Sequence, residues 1–451
     1  MIKLTTTTRL VFLQSLNHSV TQSPNLMNSD KLPAILAALA ADTQLWNDFL
    51  ALCDCGGRRA GSASEQAALQ LAHARLAAID RSARIEPVSY AGWRCFEATL
   101  TLADGSKLAC NPLLGSASTA PQGISTEVID LGRGTPEEFE RNAHDIAGRF
   151  VLVRHEYPFA RGHIHRRRKY HWALERGATG YLIANPLPGA GPVSGSSGRG
   201  GLAGIPAVAT DFESAARLAA NGSRPARALL KLRGEDYDAQ TGVVILDLPG
   251  PTGAWVALSA HLDGHDLAES AMDNASGVAV ALAVARALAP LAAACRRGLK
   301  VCVFSAEEWA LAGSRQYLDR MSDSERTAIA LNVNLDIVGG DARLTALTSE
   351  FPRLDAFVRD AAARAGIALN TYQPLMANSD HYNFARHGIP ALRLVAGFDE
   401  PQSNVRHILT RADTRDKVAP SELQSAATLT AALLWRALTA DNTDLAILRQ
   451  K

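Results

Sequence analysis

From residue 243 onward, apolar strand patterns and helical patterns take turns: "VVILDL", "AWVALSA", "ASGVAVALAVARALAPLA", "LKVCVFS", "LNVNLDIVG" and "PALRLVA". Such a sequence is committed to an α/β fold, because parallel strands are joined only by crossovers, usually helices, that cover the sheet. The expected architecture is a mixed, largely parallel central sheet flanked by helices. Residues 31–84 read as helical, with Ser62 or Ser64 as a cap for "SEQAALQLAHARLAAI". Between about 85 and 247 the texture changes. Short β-rich runs ("CFEATLTL", "RFVLVR", "TGYLIA", "ARALLKL") are separated by Gly/Pro/Ser turns.

A chain of 451 residues exceeds one ordinary core. The expected division is a leader or disordered segment over 1–30, a first part of the main domain over 31–109, a β-rich insert over 110–238 and a second part over 239–451. The segment 191–204 reads as a flexible Ser/Gly loop. The basic run "RGHIHRRRKYH" (161–171) has no interleaved aromatic pattern for stacking bases and reads as a solvated helix face. The net charge of +1 gives no field for nucleic acid. No continuous apolar run reaches the roughly 18 residues that span a bilayer. Neither nucleic acid nor membrane is therefore expected as a partner. "RLVFLQSL" offers four apolar residues before Gln14, against about 7 to 15 in a signal sequence. The six cysteines form no C-x-x-C pair, and Cys295 and Cys302 read as small buried hydrophobes. A reducing, cytoplasmic location is expected, or a periplasmic or secreted one if the first residues act as a signal.

Polar chemistry follows the strands at four places: "SAHLDGHD" (259–266), "AMDNASG" (271–277), "SAEEWALAGS" (305–314) and "NVNLDIVGG" (332–340). Open α/β sheets build their sites beyond the carboxyl ends of strands. Strand alternation puts Asn332, Asn334 and Asp336 on one face. By the same rule His261 and Asp263 share a face, so Asp263 is expected to accept the His261 imidazole N–H. Asp273, Glu307, Glu308 and Asp336 bring four negative charges together. Buried without partners, they would take up protons. None of the four stretches contains a Lys or Arg, so divalent cations are the expected counter-charge. One glutamate of the adjacent pair is then free to handle protons. Taken singly, Asp273 could be a helix cap and Glu307–Glu308 a first-turn acidic pair. His265 and Asp266 read as loop positions beside the site. "GSASE" and "SGSSG" are not G-x-S-x-G elbows, which argues against a serine hydrolase.

The stretches "AHLDGHDLAESAMDNASGVA", "FSAEEWALAGS", "NVNLDIVGG", "SDHYNFARHGIPALRL" and "RHILTRADTRDKV" together resemble the co-catalytic dizinc aminopeptidase family. That family includes bacterial leucyl-type aminopeptidases and glutamate carboxypeptidases, with glutaminyl cyclases as relatives. "CGGRRAGSASEQAALQLA" is similar to its N-terminal "pRxxGS" segment, and "AGRFVLVR…ALERGATGYLIAN…IPAVAT" to a protease-associated domain. The resemblance spans residues 32 to 437. It implies the zinc exopeptidase (phosphorylase/hydrolase-like) fold and two Zn²⁺ ions per chain. His261 and Asp336 would hold one ion, Asp273 would bridge, with a cis bond to Asn274, and Glu308 and a late histidine would hold the other. Glu307 would be the general base. His407 of "RHILTRADT" matches the family's "yHtxxDT" stretch; His381 of "SDHYNF", beside Asp380, is the runner-up. The family's tyrosine before that ligand, which steadies the oxyanion, is replaced by Arg406.

The expected function is zinc-dependent exopeptidase action on peptides, as an aminopeptidase, by water activated between the two metals with Glu307 moving its proton. The alternatives are a carboxypeptidase, dipeptidase or glutaminyl cyclase of the same superfamily, or a binding relative without catalysis. The presence of all five ligand candidates and the base argues against the last.

Overall fold

The computed structural model describes residues 31–201, 203–219 and 225–450. The leader expected over 1–30 lies outside the described residues. The main sheet runs in the order Leu369–Tyr372, Leu344–Leu347, Ala391–Ala396, Ile329–Leu335, Trp255–His261, Gly298–Phe304, Arg227–Leu248. Its four middle strands, from Ala391–Ala396 to Gly298–Phe304, are mutually parallel. Antiparallel neighbours flank them on both sides. The middle strands are buried almost without a break. Helices cover parallel sheets on both faces, which is why these strands read as continuous apolar runs.

The helix Ser276–Ala292 lies deep in the core. With the turn before it, the segment Ala271–Ala292 is long and apolar enough by composition to cross a membrane, but 72% of its most apolar window is buried inside the fold. Helices Gln44–Asp54 and Pro420–Thr439 pack against it. The helical pattern of 31–84 resolves into Lys31–Ala40, Gln44–Asp54 and Ala63–Ala77. Ser62 caps the third, its side chain accepting the Glu65 N–H at 3.2 Å.

The insert is a second, mostly parallel sheet of Ile124–Asp130, Phe150–Arg154, Gly180–Ala184 and Ala207–Thr210, with helices such as Arg166–Glu175 beside it. Two long strands tie it to the main sheet. Arg84–Leu102 and Arg227–Leu248 pair antiparallel along their length, with one irregularity between Cys95 and Glu97. The first half of Arg227–Leu248 borders Ile124–Asp130 and its second half borders Gly298–Phe304. A boundary at 238/239 therefore falls inside a continuous strand.

Two expectations for the insert are corrected. "RGHIHRRRKYH" is not a solvated face: Arg166, Lys169 and Tyr170 are buried. Lys169 Nζ donates to the carbonyls of Arg133 and Arg154 and to Glu156 at 2.5 Å. The segment 191–204 is not a free loop either, since Val193, Ser194 and Ser197 are buried. All six cysteines are free, and Cys295 and Cys302 are buried as their surroundings in sequence implied.

Candidate metal centre

A cleft opens beyond the carboxyl ends of the parallel strands, between the main sheet and the insert. The main domain lines it with His261, Asp273, Glu307, Glu308 and Asp336, among others. His261 ends its strand and is 1% exposed. Its Nε2 stands 3.2 Å from Asp273 Oδ1 and 3.3 Å from Asp336 Oδ1. Asp336 Oδ1 is buried and has no hydrogen-bond partner. Donors arranged tetrahedrally around Zn²⁺ at about 2.0–2.2 Å stand roughly 3.3–3.6 Å apart. These three side chains therefore have the donor types and spacing that fit one zinc ion.

The supports of the cluster come from far along the chain. The Asp273–Asn274 peptide is cis. Asn274 ties this turn to the end of the Ile329–Leu335 strand: its Nδ2 donates to the Leu335 carbonyl at 2.9 Å and its Oδ1 accepts from Ile337 N at 3.1 Å. Asp413, which the sequence reading did not single out, accepts the N–H groups of Met272 (2.7 Å) and Asp273 (3.3 Å). Arg393, also missed, stands 3.1 Å from Asp336 Oδ2. Burial works to raise the Asp336 pKa, but Arg393 and then His261 hold it below the usual carboxylate range.

The expected bond from His261 to the Asp263 carboxylate is not formed. His261 Nδ1 meets the Asp263 backbone carbonyl at 3.0 Å, and the nearer carboxylate oxygen lies 3.8 Å away. Asp263 instead accepts the backbone N–H groups of Glu307 (3.0 Å) and Glu308 (3.2 Å). The adjacent glutamates are thus anchored by their main chain, and their side chains reach different surroundings. Burial, and after it the charges of Glu308 and Asp336, raises the Glu307 carboxyl well above the usual range. Burial also acts to raise Glu308, but the neighbouring His265 outweighs it and brings Glu308 down to about 2.

The late residues behave differently from expectation. His407 is not among the residues lining the cleft. Its Nε2 faces Arg406 Nε at 3.3 Å, and the charges that act on it are those of Arg406, Lys417 and Asp416. Arg406 reaches Gln402 at 3.0 Å and does not line the cleft either, so the structure does not bring it where an oxyanion would form. Counted back from Asp413–Thr414 in a "yHtxxDT" frame, the tyrosine and histidine positions fall on Ile408 and Leu409, and these two residues do line the cleft. His381 and Asp380 are fully buried near Asp336 and likewise stay behind the cleft wall. Burial pushes the Asp380 carboxyl up to about 7. Asp266 is at the surface, paired with Arg59 at 3.0 Å.

His265 is the imidazole beside the second glutamate: its Nε2 lies 2.7 Å from Glu308 Oε1. The insert closes the other wall with His163, His165, Arg166 and Arg167. Arg166 is buried, donates from Nε to the Ser196 carbonyl at 2.9 Å and is pushed down to about 10 by burial. The cleft thus has an acidic wall and a basic one.

The Peptidase family M28 profile matches residues 243–434, and the PA domain profile matches residues 98–218. The chain is 26% identical to Aminopeptidase YwaD of Bacillus subtilis over 394 residues, 85% of this chain and 82% of that protein. It is 26% identical to Carboxypeptidase Q of Bos taurus over 278 residues, 58% of each chain. Among solved structures, BSAP, a zinc aminopeptidase from Bacillus subtilis, superposes with a TM-score of 0.69 at 24% identity, over 91% of this chain and 96% of that one.

Proposed function

Since residues 243–434 make this chain a member of peptidase family M28, with a PA domain built into it ahead of that segment, we propose that it is a two-zinc aminopeptidase that removes N-terminal residues from peptides. The observation that carries the reading is the set of buried donors on His261, Asp273 and Asp336, 3.2 and 3.3 Å apart about His261 Nε2. His261 and Asp336 would hold one ion, Glu308 the other, and Asp273 both.

Bound zinc supplies Lewis acidity that acidifies water towards a pKa of about 7 and polarises a carbonyl. The residues of the chain do the rest. Glu307 takes a proton from the attacking water and returns it to the leaving amine. Its main chain is fixed by Asp263, so its carboxylate has a defined place from which to do both. Arg393, which also lines the cleft, offsets the charge of Asp336 through its other carboxylate oxygen. The acidic wall attracts the free α-ammonium group of a peptide, and an N-blocked peptide lacks that group.

A second reading, carboxypeptidase or dipeptidase action, is favoured by one observation: Arg166 and Arg167 on the opposite wall suit a substrate carboxylate. A substrate panel separates the two. Leucine p-nitroanilide and amidated peptides with a free amine test aminopeptidase action. N-acetyl peptides with a free carboxylate test the alternative. Chelator-sensitive cleavage of the first group with little of the second supports the aminopeptidase reading, and the reverse pattern contradicts it.

A further inference from the structure

We propose that His265 is the nitrogen ligand of the second ion, in the place that a late histidine of the "yHtxxDT" stretch would take, and that Ser194 of the insert positions it. The proposal rests on the two-ion reading and assigns a residue that neither the sequence motifs nor the family likeness singled out.

Three observations carry it. First, the late segment brings no imidazole to the cleft. Leu409 lines it instead, with a positive φ of 62°, while His407 faces Arg406. Second, His265 is 3% exposed and sits behind Glu308 rather than in the cleft lining, with its Nε2 2.7 Å from Glu308 Oε1 as an ion pair whose angles are not those of a hydrogen bond. A buried imidazole nitrogen and a carboxylate oxygen this close can take one cation between them once the pair opens from 2.7 Å to the roughly 3.3–3.6 Å that separates neighbouring zinc ligands. Third, the other ring nitrogen is engaged: Nδ1 lies 3.0 Å from Ser194 Oγ. With Nδ1–H donated to that hydroxyl, the Nε2 lone pair is free for a metal.

The backbone around His265 is held as firmly as the ring. His265 N donates to Ser270 Oγ at 3.0 Å. The His265 carbonyl sits so close to Gly57 that a Cβ there would come within 2.0 Å of it, so only glycine fits at that position. Ser194 is fixed in turn by the residue that replaces the late histidine, since its N–H donates to the Leu409 carbonyl at 2.7 Å. The segment of Leu409 thus keeps a part in the site by placing the insert residue that orients His265. This gives the insert a physical link to metal binding and explains why the Ser/Gly stretch around Ser194 is packed.

The test is zinc content per chain after exhaustive dialysis of the full-length protein, measured for the parent, H265A, S194A and H407A, with the visible spectrum of the cobalt-substituted forms as a second readout. The expected result is two ions in the parent and in H407A, one ion in H265A, and an altered cobalt spectrum with weakened second-site retention in S194A. Two ions in H265A at the parent's affinity, or loss of an ion in H407A, overturns the assignment while leaving the two-ion reading intact. A single ion in the parent overturns both. If H265A does not fold, anomalous diffraction at the zinc edge on parent crystals decides. A second peak at about 2.0–2.1 Å from His265 Nε2 supports the assignment, and a second peak on any other histidine overturns it.

Discussion

The Asp263 carboxylate accepts the backbone N–H of Glu307 through one oxygen and that of Glu308 through the other, at 3.0 and 3.2 Å. One buried acid thereby fixes the start of the segment from which two further acids enter the cleft. In D263A the segment loses both anchors. We expect zinc affinity and kcat each to fall by about 10- to 100-fold, the range found when groups supporting a metal site are removed. Zinc titration of the apo-protein and steady-state kinetics check this, and unchanged values of both would contradict it.

Glu307 is assigned a proton-moving role and no metal. E307Q should keep the parent's zinc content and lose roughly 10²- to 10⁴-fold in kcat on leucine p-nitroanilide. Loss of zinc together with activity would make Glu307 a ligand instead.

Arg58 is fully buried, with a positive φ of 57°, and donates to the carbonyls of Leu52, Gly56, Leu262, Glu269 and Ser270. It staples the first helices to the loop that carries His265. R58M leaves those acceptors without a donor at about 1–3 kcal/mol for each group that water does not reach. We expect urea denaturation to show a loss of at least about 3 kcal/mol, with zinc retention weakened in parallel.

The insert has its own pH-dependent ion pair. Burial tends to raise Glu156, but Arg133 and Lys169 overrule it and hold its carboxyl below the ordinary value. A depressed acid stabilises the fold above its unfolded pKa, about 4.3, and that contribution fades as pH falls through the lower folded value. The urea midpoint of the parent should therefore drop between about pH 5 and 3, and E156Q should show a smaller drop across the same window. Equal drops would contradict the assignment.

The parallel sheet and the acidic constellation were readable because both are local. Strand runs such as "LKVCVFS" carry their own burial signature, Glu307, Glu308 and Asp336 follow strand ends, and Asp273 stands at the head of an apolar helical run. The misread features depend on long-range packing. Asp263 does not share a face with His261 because the strand stops at His261, and alternation has no meaning beyond that point. The histidines and arginines of 161–171 look solvated by composition, but the cleft wall they form is assembled with residues about 100 to 250 positions away. His265 could not be singled out, since its meaning lies in Glu308 and Ser194, neither of which is its neighbour in sequence. His407 falls in the stretch that resembles the family's late motif, but its spacing to Asp413 is the signal against it.

The central claim is that peptide hydrolysis here depends on metal held by His261, Asp273, Glu308 and Asp336. Its most direct test is to strip the purified protein with a chelator and titrate zinc back while following hydrolysis of leucine p-nitroanilide. The account predicts no turnover in the stripped protein, recovery that levels off at two equivalents, and no recovery in H261A or D336A. Turnover that survives complete removal of metal would contradict it.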